Sequence, residues 1–153
     1  MKRLLFPALL ILTLVITACS ATATPLPSDL QPAPDSAESA FPSRFDEQGA
    51  IVFEITPLNL GSPADTFQFA VKMNTHTIDL GMDLATLATL NTDTGVSVGS
   101  TLWDAPRGGH HVEGTLIFPA TQNGKPILES ATKLTLTIGN VDAPSRVFEW
   151  ELK

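Results

Sequence analysis

A period-two alternation of apolar and polar side chains recurs through the C-terminal two-thirds of the chain and constrains the fold more than any other feature. Phe67, Phe69, Val71 and Met73 are separated by Gln68, Ala70 and Lys72, and Leu134, Leu136 and Ile138 by Thr135 and Thr137. Phe148, Trp150 and Leu152 alternate with Glu149 and Glu151. Successive strand side chains point to opposite faces, so this pattern calls for strands with one buried face. The spacing predicts strands over 49–58, 66–75, 84–91, 95–104, 111–119, 132–139 and 146–152. Turn signals separate them, among them Asn59-Leu60-Gly61-Ser62-Pro63, Asp93-Thr94-Gly95, Asn123-Gly124-Lys125-Pro126 and Asp142-Ala143-Pro144. About seven short strands with no convincing helix predict an all-β fold, an antiparallel immunoglobulin-like β-sandwich. Residues 78–90 also fit a helical turn, because Leu80, Leu84 and Leu87 share a helical spacing.

The N-terminus is of another kind. Met1-Lys2-Arg3 supplies two positive charges, and Leu4 to Ile16 is apolar apart from Pro7 and Thr13. As a helix at ~1.5 Å per residue this stretch reaches only about 20 Å, short of the roughly 30 Å hydrocarbon core of a bilayer. It has the form of a signal peptide rather than of a transmembrane helix. The segment closes on Ile16-Thr17-Ala18-Cys19. That ending resembles the lipobox of bacterial lipoproteins: a branched apolar residue, two small residues and the cysteine that is acylated. The resemblance covers the first twenty residues. It implies that residues 1–18 are removed, that Cys19 becomes the lipidated N-terminus, and that the protein is held at the extracytoplasmic face of a membrane, in the periplasm or at the cell surface. Two acyl chains make such an anchor stable where a single one binds reversibly. Ser20 follows Cys19 in place of the aspartate that retains some lipoproteins at the inner membrane.

Cys19 is the only cysteine, so the rest of the chain can form no internal disulfide. Stability must come from the core. Residues 19–43 are rich in Ala, Thr, Ser and Pro and read as a disordered tether, with too little apolar surface to fold. Fully extended, such a segment reaches roughly 75 Å at ~3.1 Å per residue. Residues 44–153 form the expected single domain. The net charge of −7 becomes about −9 once Lys2 and Arg3 are removed. Phosphate binding relies on lysine and arginine, so nucleic acid is not an expected partner.

All three histidines fall in two short polar motifs, Asn74-Thr75-His76-Thr77-Ile78-Asp79 and Trp103-Asp104-Ala105-Pro106-Arg107-Gly108-Gly109-His110-His111. In an immunoglobulin-like order the second and fifth strands are antiparallel neighbours, which brings the end of one beside the start of the other. His76, His110 and His111 are then expected at one end of the sandwich. Neutral imidazole is a common metal ligand, and Asp79 is the expected carboxylate partner, with Asp83 and Asp104 nearby. Two or three histidines with one carboxylate suit zinc or copper(II). Met73 and Met82 flank the first motif, but Met73 alternates in phase with Phe69 and Val71 and is more simply a core residue. A blue-copper centre needs a thiolate, and Cys19 is committed to lipid. Adjacent His110 and His111 on a strand would face opposite ways, unless Gly108 and Gly109 keep them in a loop.

Other chemistry finds less support. Ser97 and Ser100 lie in no nucleophile elbow, and the aspartates form no Asp-x-Asp-x-Asp-Gly calcium loop. Trp103 beside Pro106 and Arg107 offers a candidate partner contact, although a tryptophan ending a strand is more often a core plug, and Arg107 has Asp104 as a possible ion-pair partner. The expected function is a non-enzymatic, membrane-anchored binding module whose histidine-bearing end is a candidate site for a transition metal. The alternative is an accessory domain that docks an envelope protein.

Overall fold

A computed structural model describes residues 40–152. The expected signal peptide, Cys19 and the tether as far as residue 39 lie outside the described residues. The strands are β1 (Arg44–Asp46), β2 (Val52–Pro57), β3 (Thr66–Asn74), β4 (Ala88–Thr92), β5 (Ser97–Gly99), β6 (Leu102–Asp104), β7 (His111–Pro119), β8 (Thr121–Gln122), β9 (Lys125–Pro126), β10 (Lys133–Gly139) and β11 (Ser145–Glu151). One sheet has the order β1-β2-β3-β7-β6 and the other β11-β10-β4-β5, with every pairing antiparallel. If β2, β3, β6 and β7 are lettered A, B, D and E, and β4, β5, β10 and β11 are lettered C, C′, F and G, the sheets read A-B-E-D and C′-C-F-G. This is the immunoglobulin-like arrangement.

The alternation read from the sequence is the alternation of burial. Phe67, Phe69, Val71 and Met73 point inward from β3, as do Leu134, Leu136 and Ile138 from β10. Between the sheets Phe69 meets Phe118 edge-on at 5.7 Å and Trp150 at 5.5 Å, so β3, β7 and β11 share one aromatic cluster. Such pairs add stabilisation beyond the apolar area they bury.

Four local features differ from the sequence reading. The single strand expected over 95–104 breaks at Ser100 and Thr101. Its first part pairs with β4 and its second with β7, so the chain crosses from one sheet to the other. Ser100 Oγ and Thr101 N both donate to the Ile117 carbonyl, at 2.8 Å each, and hold the crossing. The strand expected from Leu84 begins at Ala88, after one turn of 3₁₀ helix over Leu84–Thr86 that Asp83 caps through Ala85 N. That turn answers the helical spacing of the leucines. The short strand β1 and the β8–β9 hairpin have no clear alternation and were not expected. Finally, the tether expected to run to Ser43 is already part of the domain from Ala40. Phe41 packs against the core, Trp150 Nε1 donates to the Pro42 carbonyl at 2.8 Å, and the Ser43 and Thr56 hydroxyls lie 2.6 Å apart. A buried indole N–H needs an acceptor, and the incoming chain supplies it.

Candidate functional site

The two histidine motifs meet as the strand order requires. Asn74, the last residue of β3, is in register with His111, the first of β7. The loops beyond them continue the contact. Thr75 N donates to the His110 carbonyl at 2.9 Å, Leu80 N to the Gly109 carbonyl at 2.9 Å, and Gly108 N to the Leu80 carbonyl at 3.2 Å. Thr75 and Leu80 are buried beneath this seam, whereas His76, His110 and His111 are all exposed above it. The loop 75–87 joins B to C and the loop 105–110 joins D to E. They share an end with the F–G loop, 140–144, and with the β1–β2 turn.

Asp79, expected as a metal ligand, has another role here. Its Oδ1 accepts the Gly109 N–H at 2.6 Å, and the D–E loop wraps around the carboxylate. The wrap needs positive φ at two successive positions, 85° at Gly108 and 91° at Gly109. A β-carbon on Gly108 would also come within 3.1 Å of Asp79 Oδ1. The glycine pair therefore keeps His110 in a bend while His111 enters the strand.

Arg107 pairs with Asp83 at 2.9 Å, not with Asp104. That contact, with the Ala85 N–H, holds the Asp83 carboxyl below its ordinary pKa against the opposing effect of desolvation. Trp103, considered as a partner contact, is only 6% exposed and belongs to the core. It faces inward because it is in register with the buried Leu116. Met73 is fully buried in the core, and Met82 is partly buried against it.

Asn74 is a residue whose role the sequence did not suggest. Asn74 and His111 lie on the outer face of the first sheet, in a row with Val52, and Asn74 Oδ1 is 2.7 Å from His111 Nδ1. Among the described residues no group of three or more His, Cys, Asp or Glu side chains stands close enough together to hold a metal ion.

The charge at this end is negative. Its two arginines are each committed, Arg107 to Asp83 and Arg146 to Asp46. Glu47, Asp79, Asp104 and Asp142 have no ion-pair partner among the described residues.

Arg146 is the other residue whose role went unread. Its side chain is wholly buried, and its guanidinium lies 4.7 Å from the centre of the Phe53 ring. It donates to the carbonyls of Val141 at 3.0 Å and Ile51 at 3.0 Å, to the Gln48 carbonyl, and to the Asp46 carboxylate. One side chain thus ties G and the F–G loop to the β1–β2 turn. Its signal was present in the sequence, because Arg146 is in phase with Phe148 and Trp150.

No protein-family model matches the chain. No curated protein matches it either. Among solved structures it is similar to the crystal structure of a DUF4426 family protein from Pseudomonas aeruginosa, at 10% identity and a TM-score of 0.40, over 70% of this chain and 92% of that one.

Proposed function

We propose that the protein is a lipid-anchored extracytoplasmic binding module, without enzymatic activity, that takes a transition-metal cation at its histidine-bearing end. One observation carries the reading: two loops far apart in sequence are hydrogen-bonded into one surface, and all three histidines of the chain stand exposed on it. The uncompensated carboxylates around them favour a cation over an anion. With no three-residue ligand cluster already gathered, water or a ligand-bearing partner completes the coordination.

The chain enters at the opposite end of the sandwich, where Ala40 lies beside Gly61. From there β3 runs its nine residues, roughly 30 Å at ~3.3 Å each, to the histidine-bearing end. The point at which the chain enters the domain is thus separate from the histidine-bearing end.

The test is calorimetric titration of the mature chain with zinc and with copper(II), beside His76→Ala, His110→Ala and His111→Ala variants. Binding tighter than about micromolar, weakened in the variants, is the expected result. No heat of binding with either metal sinks the reading.

A second reading is favoured by a different surface. Phe45 is 63% and Val147 51% exposed, and both line a shallow groove of about 370 Å³ where β1 meets β11, with Arg44, Glu149 and Glu151 at its rim. Exposed apolar side chains set among charged ones suit protein contacts. This is where an accessory domain would meet an envelope protein, and Trp103 has no part in it.

A further inference from the structure

One edge of the second sheet carries backbone groups that the fold itself does not use. Leu152 N donates to the Thr132 carbonyl at 2.8 Å beyond one end of the β10–β11 ladder, and Asn140 N to the Pro144 carbonyl at 3.3 Å beyond the other. Antiparallel ladders alternate, so this phase turns the backbone groups of Arg146, Phe148 and Trp150 toward β10 and those of Ser145, Val147, Glu149 and Glu151 outward. On this side β1 meets β11 through side chains rather than through a ladder: Arg44 Nε donates to the Glu149 carbonyl at 2.8 Å and Gln48 Nε2 to the Ser145 carbonyl at 3.2 Å. Among the described residues, the N–H and C=O of Val147, the N–H of Glu149 and the N–H and C=O of Glu151 have no partner. We propose that this edge is a strand-addition site, along which an extended segment of another protein pairs with β11, an apolar residue opposite Val147 and a basic one opposite Glu151. The proposal rests on reading the groove between β1 and β11 as a surface that meets another protein.

Three observations commit the edge to this occupant. The unpaired groups recur at every second residue, a spacing that an added strand matches along its whole length. A carbonyl oxygen has two lone pairs, so the Glu149 carbonyl can accept from the incoming strand while it keeps Arg44. The groove also offers the side chains such a strand needs, since the exposed Phe45 and Val147 both line it. Charge then selects the partner. Ser145, Val147, Glu149 and Glu151 share the outer face of β11. Lys133 pairs with Glu149 there at 2.7 Å, whereas Glu151 has no ion-pair partner among the described residues. Opposite charges facing each other across strands are stabilising and like charges destabilising. That face of β11 bears no basic residue of its own, so a second copy paired edge to edge would bring Glu151 no countercharge. A basic segment of a different chain brings one.

The test is NMR titration of the mature chain with a capped peptide, Thr-Lys-Thr-Lys-Thr-Val-Thr, beside the same peptide with glutamate in place of lysine. Antiparallel addition sets its lysines opposite Glu151 and Glu149 and its valine opposite Val147. The expected result has a period of two: amide exchange slows at Val147, Glu149 and Glu151, while Phe148 and Trp150, already bonded to β10, keep their rates. The glutamate peptide should bind more weakly, and Glu151→Lys should reverse the preference. Val147→Pro removes an outward N–H and leaves the β10 ladder intact, as proline on a sheet edge can. It should weaken the lysine peptide about tenfold, the loss expected for one or two hydrogen bonds, with the unfolding midpoint close to wild type. If Val147→Pro does not fold, the alternation of exchange and the Glu151→Lys reversal still decide the question. Equal slowing at odd and even residues overturns the proposal, as does equal binding of the two peptides. Slowing at the odd residues that grows with protein concentration in the absence of peptide assigns the edge to a second copy and overturns it too. A peptide that shifts the Phe45 ring resonances without slowing the odd amides overturns strand addition but leaves the groove as a docking surface. No change at Phe45 or β11 up to millimolar peptide overturns both.

Discussion

Arg146 shows how one polar side chain is tolerated in an apolar interior. A buried guanidinium is costly unless each donor has an acceptor, and here Nε, Nη1 and Nη2 all have one. Asp46 supplies the countercharge. Desolvation pushes the Asp46 carboxyl upward, but hydrogen bonds from the Gln48 side chain and backbone, with the Arg146 charge, outweigh it and hold its pKa below the ordinary 3.8. A carboxyl with a lowered folded pKa contributes stability that is complete above its unfolded value and is lost as the pH falls through the folded one. Asp46→Asn leaves the buried cation without its partner and should cost about 3–5 kcal/mol near neutral pH. The difference from wild type should shrink below about pH 3.8. Urea unfolding across a pH series checks both statements, and a difference that stays constant down to pH 2 refutes the role given to the pair.

Between elements, close approach decides what the sequence may carry. Gly114 lies on the inward side of β7, in register with Val71, where the D–E hairpin crosses it. A β-carbon there would sit 2.3 Å from Ala105 Cβ, 2.5 Å from the Asp104 carbonyl and 2.9 Å from the Trp103 ring. Two of those three atoms belong to backbone or to a β-carbon and cannot swing aside. Gly114→Ala should therefore displace β6 and lose about 1–3 kcal/mol, typical of overpacking. Chemical denaturation gives the number, and a neutral substitution would mean that the hairpin does not lie where it is described. At the histidine-bearing end, Asp79→Ala removes the acceptor for Gly109 N–H. The loss should be only about 1 kcal/mol, because the contact is exposed. Its signature is local: amide exchange at Gly109 should quicken while Leu116 and Phe118 stay protected. Equal acceleration at all three would point to global destabilisation instead.

For the whole molecule, the main architectural fact is that both open sides of the sandwich are closed. On one side the chain steps from β5 to β6, from one sheet to the other. On the other, β1 lies against β11, with Arg44 Nε on the Glu149 carbonyl at 2.8 Å and Trp150 on Pro42. Unpaired sheet edges invite aggregation, and short, capped or crossed edges limit it. No disulfide contributes, so the fold depends on its core and on these closures. Among the described residues no helix is long and apolar enough to cross a membrane. If Cys19 carries the anchor, Cys19→Ser should move the protein from the membrane fraction to the soluble extracytoplasmic fraction without changing its thermal unfolding. Equal partitioning of variant and wild type would remove the basis for the lipid anchor.

The sequence by itself determined the class of fold, because period-two alternation leaves a strand only one way to face its core. Phe67 to Met73 and Leu134 to Ile138 could be read without a partner in view. It also placed the two histidine motifs at one end, since an immunoglobulin-like order makes β3 and β7 neighbours. Tertiary structure decided what alternation does not encode. The segment 95–104 serves two sheets: Val98 is buried from β5 and Trp103 from β6, an odd spacing that one alternating strand does not allow, and only the pairing shows that the two parts belong to different sheets. Asp79 and Gly109 are thirty positions apart, and nothing local shows that the carboxylate is spent on that amide. The Asn74–His111 contact depends on register, which is fixed only when the strands pair. Arg146 lay in an inward phase that a charge argues against, and only the Val141 carbonyl of its own loop with three acceptors from the distant residues Asp46, Gln48 and Ile51 makes that position tolerable.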